Sequence, residues 1–256
     1  MKRYRKRCLI VILAAIMLFA AGCGSSEKEK RAFRDTGISQ MDAGDYEAAL
    51  QSFQQALDAS DGLVGAFELD VLKYRAEAEM CAGNYGAAAH TYDVLAQVDG
   101  EKPEYLTRGF IMYVMADQLN AALETYEKAY ELKADGEEFT QGLLLLGQRL
   151  EDAGRAEEAM LIYETAVNDG SRSGELYNRM ALCEMEAGEL EQALSYLNQG
   201  LQTGDTQARA KLLYNQVVVY EQKLEFGKAL TILEQYAAEF GATPEVEKEL
   251  AFLRTR

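Results

Sequence analysis

Apolar residues between positions 30 and 240 recur with helical spacing, and the pattern itself repeats. An alanine marks each copy: Ala49, Ala88, Ala122, Ala159, Ala193 and Ala229, at intervals of 39, 34, 37, 34 and 36 residues. Four residues beyond each lies a large apolar side chain: Phe53, Tyr92, Tyr126, Tyr163, Leu197 or Leu233. Three further on come Ala56, Leu95, Ala129, Ala166, Gly200 and Tyr236. Steps of four and three place these positions on one face of a helix. Twelve residues before each alanine stand Gly37, Ala76, Phe110, Gly147, Ala181 and Val217. Four of these are small enough to let two helices approach closely.

Between the two halves of each copy lies a turn signal. Ala43-Gly44-Asp45, Ala82-Gly83-Asn84, Ala153-Gly154-Arg155 and Ala187-Gly188-Glu189 place a glycine where a helix would end in the left-handed region. Asp45 and Asn84 are suited to capping the helix that follows. Ala116-Asp117-Gln118 and Lys223-Leu224-Glu225 are weaker copies without the glycine. The pattern predicts helix pairs at 30–43/46–58, 67–82/85–97, 103–116/119–133, 137–153/156–169, 173–187/190–202 and 206–223/226–240. Thr243-Pro244 then opens a last helix over 244–254, with Thr as cap and Pro in its favoured first position. A stack of repeats needs such an element to cover its terminal apolar face. Val217-Val218-Val219 is strand-like, but the repeat phase assigns it to a helix.

Six copies in one phase resemble the tetratricopeptide repeat, a helix–turn–helix unit of 34 residues. Leu213-Tyr-Asn-Gln-Val-Val-Val-Tyr-Glu-Gln-Lys223 is close to that family's first-helix wording. The sequence departs from the family where its Trp is replaced by Phe33, Leu72, Leu106, Leu143, Tyr177 and Leu213, and its closing Pro is missing. The resemblance implies an all-α fold: a right-handed α-solenoid of about six repeats over 33–256, ending in a capping helix. It also implies a ligand groove on the first helix of each pair, one residue beyond the core phase. That stripe comprises Arg34, Ile38 and Met41; Lys73, Glu77 and Met80; Thr107, Ile111 and Val114; Leu144, Gln148 and Glu151; Asn178, Leu182 and Met185; and Tyr214, Val218 and Glu221. Its methionines add adaptable contact surface. A competing reading packs several of these residues between neighbouring first helices. Some family members clamp a C-terminal carboxylate here, but among the matching positions Arg34, Ile38, Glu77, Thr107 and Ile111 only Arg34 fits.

The N-terminus carries a different signal. Residues 1–7 hold five positive charges and no acid, and residues 8–20 are apolar apart from small residues. A basic start, a short apolar run and small residues form a secretory leader. Ala20-Ala21-Gly22-Cys23 resembles the lipobox of bacterial lipoproteins. The resemblance implies removal of residues 1–22 and acylation of Cys23, followed by a short polar tether through residue 32. The expected location is the extracytoplasmic face of the cell membrane. Two acyl chains anchor stably where one does not.

Charge narrows the partners. The 256 residues carry 26 Lys and Arg against 42 Asp and Glu, a net charge of −16. Loss of the leader's five cations takes this to −21, so an anionic lipid surface repels the body and nucleic acid is not expected as a partner. Nothing points to a cofactor, a metal or catalysis. A nucleophilic triad would need the one histidine, His90, which lies a step off the packing face. Phosphate-loop and dinucleotide motifs are missing, and Asp58-Ala-Ser-Asp61-Gly62 lacks calcium-loop spacing. Cys183 falls beside the packing face, Cys81 off it, and the two lie too far apart along a repeat stack for a disulfide. The expected role is a lipid-anchored scaffold binding a protein or peptide, with basic partners favoured. The alternatives are a structural subunit of an envelope assembly complex and, less favoured, a small-solute-binding lipoprotein.

Overall fold

The computed structural model describes residues 26–60 and 62–256; the expected leader with Cys8 and the acylation candidate Cys23 lie outside them. Among the described residues there are thirteen helices and no strands. Helix α1 covers residues 26–42. It is followed by α2 (Tyr46–Asp58), α3 (Ala66–Cys81), α4 (Tyr85–Asp99), α5 (Pro103–Met115) and α6 (Leu119–Glu131). Then come α7 (Gly136–Asp152), α8 (Ala156–Asn168), α9 (Gly174–Ala187) and α10 (Leu190–Gln202). The chain ends with α11 (Arg209–Gln222), α12 (Phe226–Phe240) and α13 (Pro244–Leu253).

The expected pairs are all present, with two informative shifts. Residues 26–32, read from composition as a solvated tether, are helical and belong to α1. They are held because Lys30 is buried and paired with Glu68 at 2.9 Å. Helix α11 starts at Arg209 rather than 206, because the Asp205 carboxylate accepts the Gln207 and Ala208 N–H groups in a local turn.

One backbone device ends the first helix of every pair. The N–H groups of Asp45, Asn84, Gln118, Arg155, Glu189 and Glu225 each donate to the carbonyl five residues earlier, at 2.8–2.9 Å. This bond closes a Schellman turn and requires a left-handed residue just before the donor. Gly44, Gly83, Gly154 and Gly188 supply it with φ of 72–82°. Asp117 and Leu224 supply it in the two weaker copies at 58° and 59°. Asp45 caps α2 through a bond from the Ala48 N–H. Asn84 does not cap α4; its amide donates to Glu47 instead.

The chain divides into two compact units, one ending at Gly142 and the other spanning Leu143–Arg256. In the first, Ala49, Phe53, Ala56, Val71 and Ala78 form a core flanked by Phe33, Ile38, Met41 and Tyr74. Further along it, Phe110 meets the rings of Tyr126 and Phe139 edge-on. In the second unit, Ala181, Ala193, Leu194, Leu197, Ala208, Leu212 and Val219 pack together. Its far end is closed by α13, whose Val246, Leu250 and Leu253 cover Val217, Ala229 and Leu233. Thr243 caps α13 with Pro244 in its first turn, as its sequence requires.

Candidate functional site

The first helices of the first unit bound an open groove of about 760 Å³. Helix α3 contributes Asp70, Lys73, Tyr74, Glu77 and Met80; α5 contributes Glu104, Tyr105, Arg108, Ile111 and Met112. Tyr92 of α4 and Glu138 of α7 complete the lining. Residues three and four apart on each helix share a face, which is why the contributions fall at these spacings. The Lys73 ammonium lies 5.5 Å from the centre of the Tyr105 ring. Arg108 pairs with Glu138 at 3.1 Å and Asp70 with Arg34 at 3.2 Å. Glu77 and Glu104 are exposed, and Glu104 lies near enough to Lys102 to help raise that ammonium's pKa. Burial raises the pKa of the Tyr92 phenol, partly countered by Arg108, so the hydroxyl stays protonated and able to donate. The groove is thus an aromatic and methionine floor with an acidic rim.

The second unit has its own hollow of about 400 Å³, between α9 and α11. It is lined by Glu175, Asn178, Arg179, Leu182, Lys211, Tyr214 and Asn215, with Tyr236 of α12. Its charges are mutually engaged: Glu175 bonds Lys211 at 3.0 Å and Arg179 at 3.4 Å, and Arg179 also reaches Glu151.

The anticipated stripe is therefore split. Lys73, Met80 and Ile111 line the first groove, and Asn178, Leu182 and Tyr214 touch the second. Thr107, Val114 and Asn178 are nonetheless buried, not exposed binding positions. The cause is neighbouring packing along the stripe. Thr107 lies in a recess beside Phe139 of α7, and Asn178 accepts a 2.8 Å bond from Asn215 of α11. Ile38 and Met41 pack on the core of the first unit, and Met185 on that of the second. Arg34 lies over the Phe67 ring and bonds Asp35 and Asp70. Leu144 and Val218 are half-buried, and Gln148 is exposed on α7. Sequence reasoning missed Tyr74, Tyr105 and Arg108, which sit two residues past the core phase or next to it. A charged and aromatic run on α3, Asp70, Lys73, Tyr74 and Glu77 at i, i+3, i+4 and i+7, was the available signal.

Cys183 is buried and Cys81 exposed, both as free thiols. His90 is exposed on α4. Among the described residues no group of three or more His, Cys, Asp or Glu side chains could hold a metal, and no helix is long and apolar enough to cross a membrane.

Paired helices joined by a common turn, stacked with small residues at their crossings, define a helical-repeat protein. A tetratricopeptide repeat model matches residues 150–217, within the second unit. Among solved structures, the C-terminal part of a TPR repeat-containing protein from Cytophaga hutchinsonii is similar over 93% of both chains, at 12% identity and a TM-score of 0.69. MamA protein is similar over 72% of this chain and 96% of its own, at 17% identity and a TM-score of 0.57. PilF of Pseudomonas aeruginosa is similar over 89% of this chain and 99% of its own, at 14% identity and a TM-score of 0.53. At these identities the likeness is one of fold. No curated protein matches the sequence.

Proposed function

We propose that the protein is a lipid-anchored, extracytoplasmic scaffold whose repeats hold a protein or peptide partner. The leader and Cys23 support the anchor, and the repeat fold supports a binding role rather than a chemical one. The observation that carries the partner reading is the groove of the first unit. Tyr74 and Met80, backed by the buried Tyr105 and Met112, offer contact area for apolar side chains. Glu77 and Glu104 are exposed over that floor, so a segment carrying Lys or Arg beside apolar residues fits best. Such pairing steers encounter and weakens as salt screens it.

In-cell crosslinking with mass spectrometry of the captured proteins tests this reading. The variant is Glu77→Lys with Glu104→Lys, which reverses the rim at two exposed positions and leaves the core intact. Circular dichroism first establishes that the variant keeps its helix content. A partner captured by the native chain and lost by the folded variant supports the groove as its site. Capture that is unchanged by the reversal moves binding to another face.

A further inference from the structure

Leu63 and Val64 lie in the loop between α2 and α3, and they are 73% and 49% exposed. Among the described residues they are the one consecutive pair of large apolar side chains left in solvent. Gly62, in the left-handed region at φ 84°, and Gly65 flank them. Loops are ordinarily polar, because their backbone groups face water. The Leu63-Val64 pair therefore presents a small apolar surface outward.

The position of the loop says what that surface meets. Ser26, at the start of the described chain, donates its hydroxyl to the Ala59 carbonyl at the loop's beginning, 2.7 Å away. The Glu68 carboxylate ties the rest together. It accepts from Lys30 of α1 at 2.9 Å, from the Ser60 hydroxyl at 2.8 Å and from the Gly65 N–H at 2.9 Å. Ser60 and Gly65 bracket the apolar pair. Lys30, Arg31 and Arg34 also lie over the Phe67 ring, at 4.8, 5.7 and 5.3 Å. The first turns of α1 cannot swing away from the loop without breaking this set. Cys23 precedes Ser26 by three residues, which spans at most about 11 Å of chain.

We infer that the Leu63-Val64 pair is a second membrane contact, inserting into the bilayer beside the acyl chains on Cys23. The inference rests on the lipoprotein reading. Its force is apolar, which suits a body whose net charge an anionic lipid surface repels. Two points of attachment, the acyl chains and the loop, fix which end of the first unit meets the bilayer. A lipid alone would leave the body free to turn.

The test uses the lipoprotein purified from membranes and reconstituted in phosphatidylcholine vesicles brominated near the headgroup end of the acyl chains. Val64→Cys, in a Cys81→Ser background, carries a thiol-linked fluorophore. The control is the same fluorophore on native Cys81, at the opposite end of α3 and about 22 Å away by helix rise. Mass spectrometry of the N-terminal peptide reads acylation of Cys23 independently. The expected result is an acylated Cys23, with quenching by brominated lipid at position 64 and none at Cys81. An acylated protein unquenched at position 64 overturns the inference and leaves the anchor standing. A label shielded from aqueous iodide yet untouched by brominated lipid assigns the pair to a second copy of the chain, and also overturns it. An unmodified Cys23 removes the premise and overturns both.

Discussion

A methyl group built on Gly147 would lie 2.3 Å from the ring of Tyr163. Tyr163 cannot retreat: it is fully buried, and its hydroxyl donates to Glu151 at 2.6 Å. The two helices α7 and α8 therefore touch through a missing side chain. The same relation recurs in the first unit, where a methyl on Gly37 would lie 2.5 Å from Phe53.

Gly147→Ala should consequently destabilise the protein by about 1–3 kcal/mol, the usual cost of overpacking. Gly227→Ala is the matched control. It sits within α12, where an added methyl meets nothing within 4 Å. There the gain in helix propensity should stabilise by about 0.5–1 kcal/mol. Urea unfolding of the two variants should give midpoints that move in opposite directions.

Leu224 holds the left-handed slot of its turn at φ 59°, where four other repeats use glycine. An L-residue there costs about 1–2 kcal/mol, and Asp bears the conformation more easily than Leu. The Leu224 side chain is 73% exposed, so its removal loses little packing. Leu224→Gly should stabilise by about 0.5–1 kcal/mol once the added freedom of the unfolded chain is subtracted. Asp117→Gly should gain less. Thermal melts that rank the two the other way would mean the Leu224 side chain makes a contact that offsets its strain.

The repeats were legible because the constraint is periodic. Gly37, Gly147 and Ala181 had to be small where a large residue sixteen positions on fills the gap, and each turn had to leave the helix in the same way. The groove was only half legible. A stripe one residue past the core phase finds Lys73, Met80 and Ile111, but on the same stripe Thr107 and Val114 are covered. Which flank of a first helix its neighbour covers depends on crossing geometry, set by contacts such as Gly142 against Phe110 and Ile111. A single-helix periodicity does not contain that information. The clamp on α1 was illegible for a related reason. Lys30 and Glu68 are 38 residues apart, and only the fold brings them together.

That clamp has a pH signature. Burial pushes the Glu68 carboxyl up, but bonds from Lys30, the Gly65 N–H and Ser60 outweigh it and bring its pKa down from 4.5 to about 2. A carboxylate with a lowered folded-state pKa stabilises fully above its unfolded value and loses that contribution as pH falls through the folded one. The loss should fall between pH 4.5 and about 2. Lys30→Met removes a charge-assisted bond, should cost about 2 kcal/mol near neutral pH, and should flatten that acid limb. Urea titrations from pH 6 to pH 2 would show whether the variant and native curves converge on acidification, as this requires.

The opposite sign holds at the other end of the chain. Burial raises the Glu221 carboxyl of α11 from 4.5 to about 7, helped by its hydrogen bond with Glu249 of α13, and its Oε1 has no hydrogen-bond partner. Two facing carboxyls share a proton more readily than they tolerate two charges. Here the folded state holds the proton, so the stabilisation is complete below pH 4.5 and disappears as pH rises through about 7. The affected element is α13, which covers Val217, Ala229 and Leu233. Glu221→Gln keeps a donor toward Glu249 without the second charge. It should leave stability nearly unchanged at pH 5 and raise it at pH 8. Hydrogen exchange in α13 should quicken from pH 5 to pH 8, beyond the intrinsic rate, in the native chain and not in the variant. Equal pH dependence in both would mean the two carboxyls ionise independently, and that the cap is held by its apolar contacts alone.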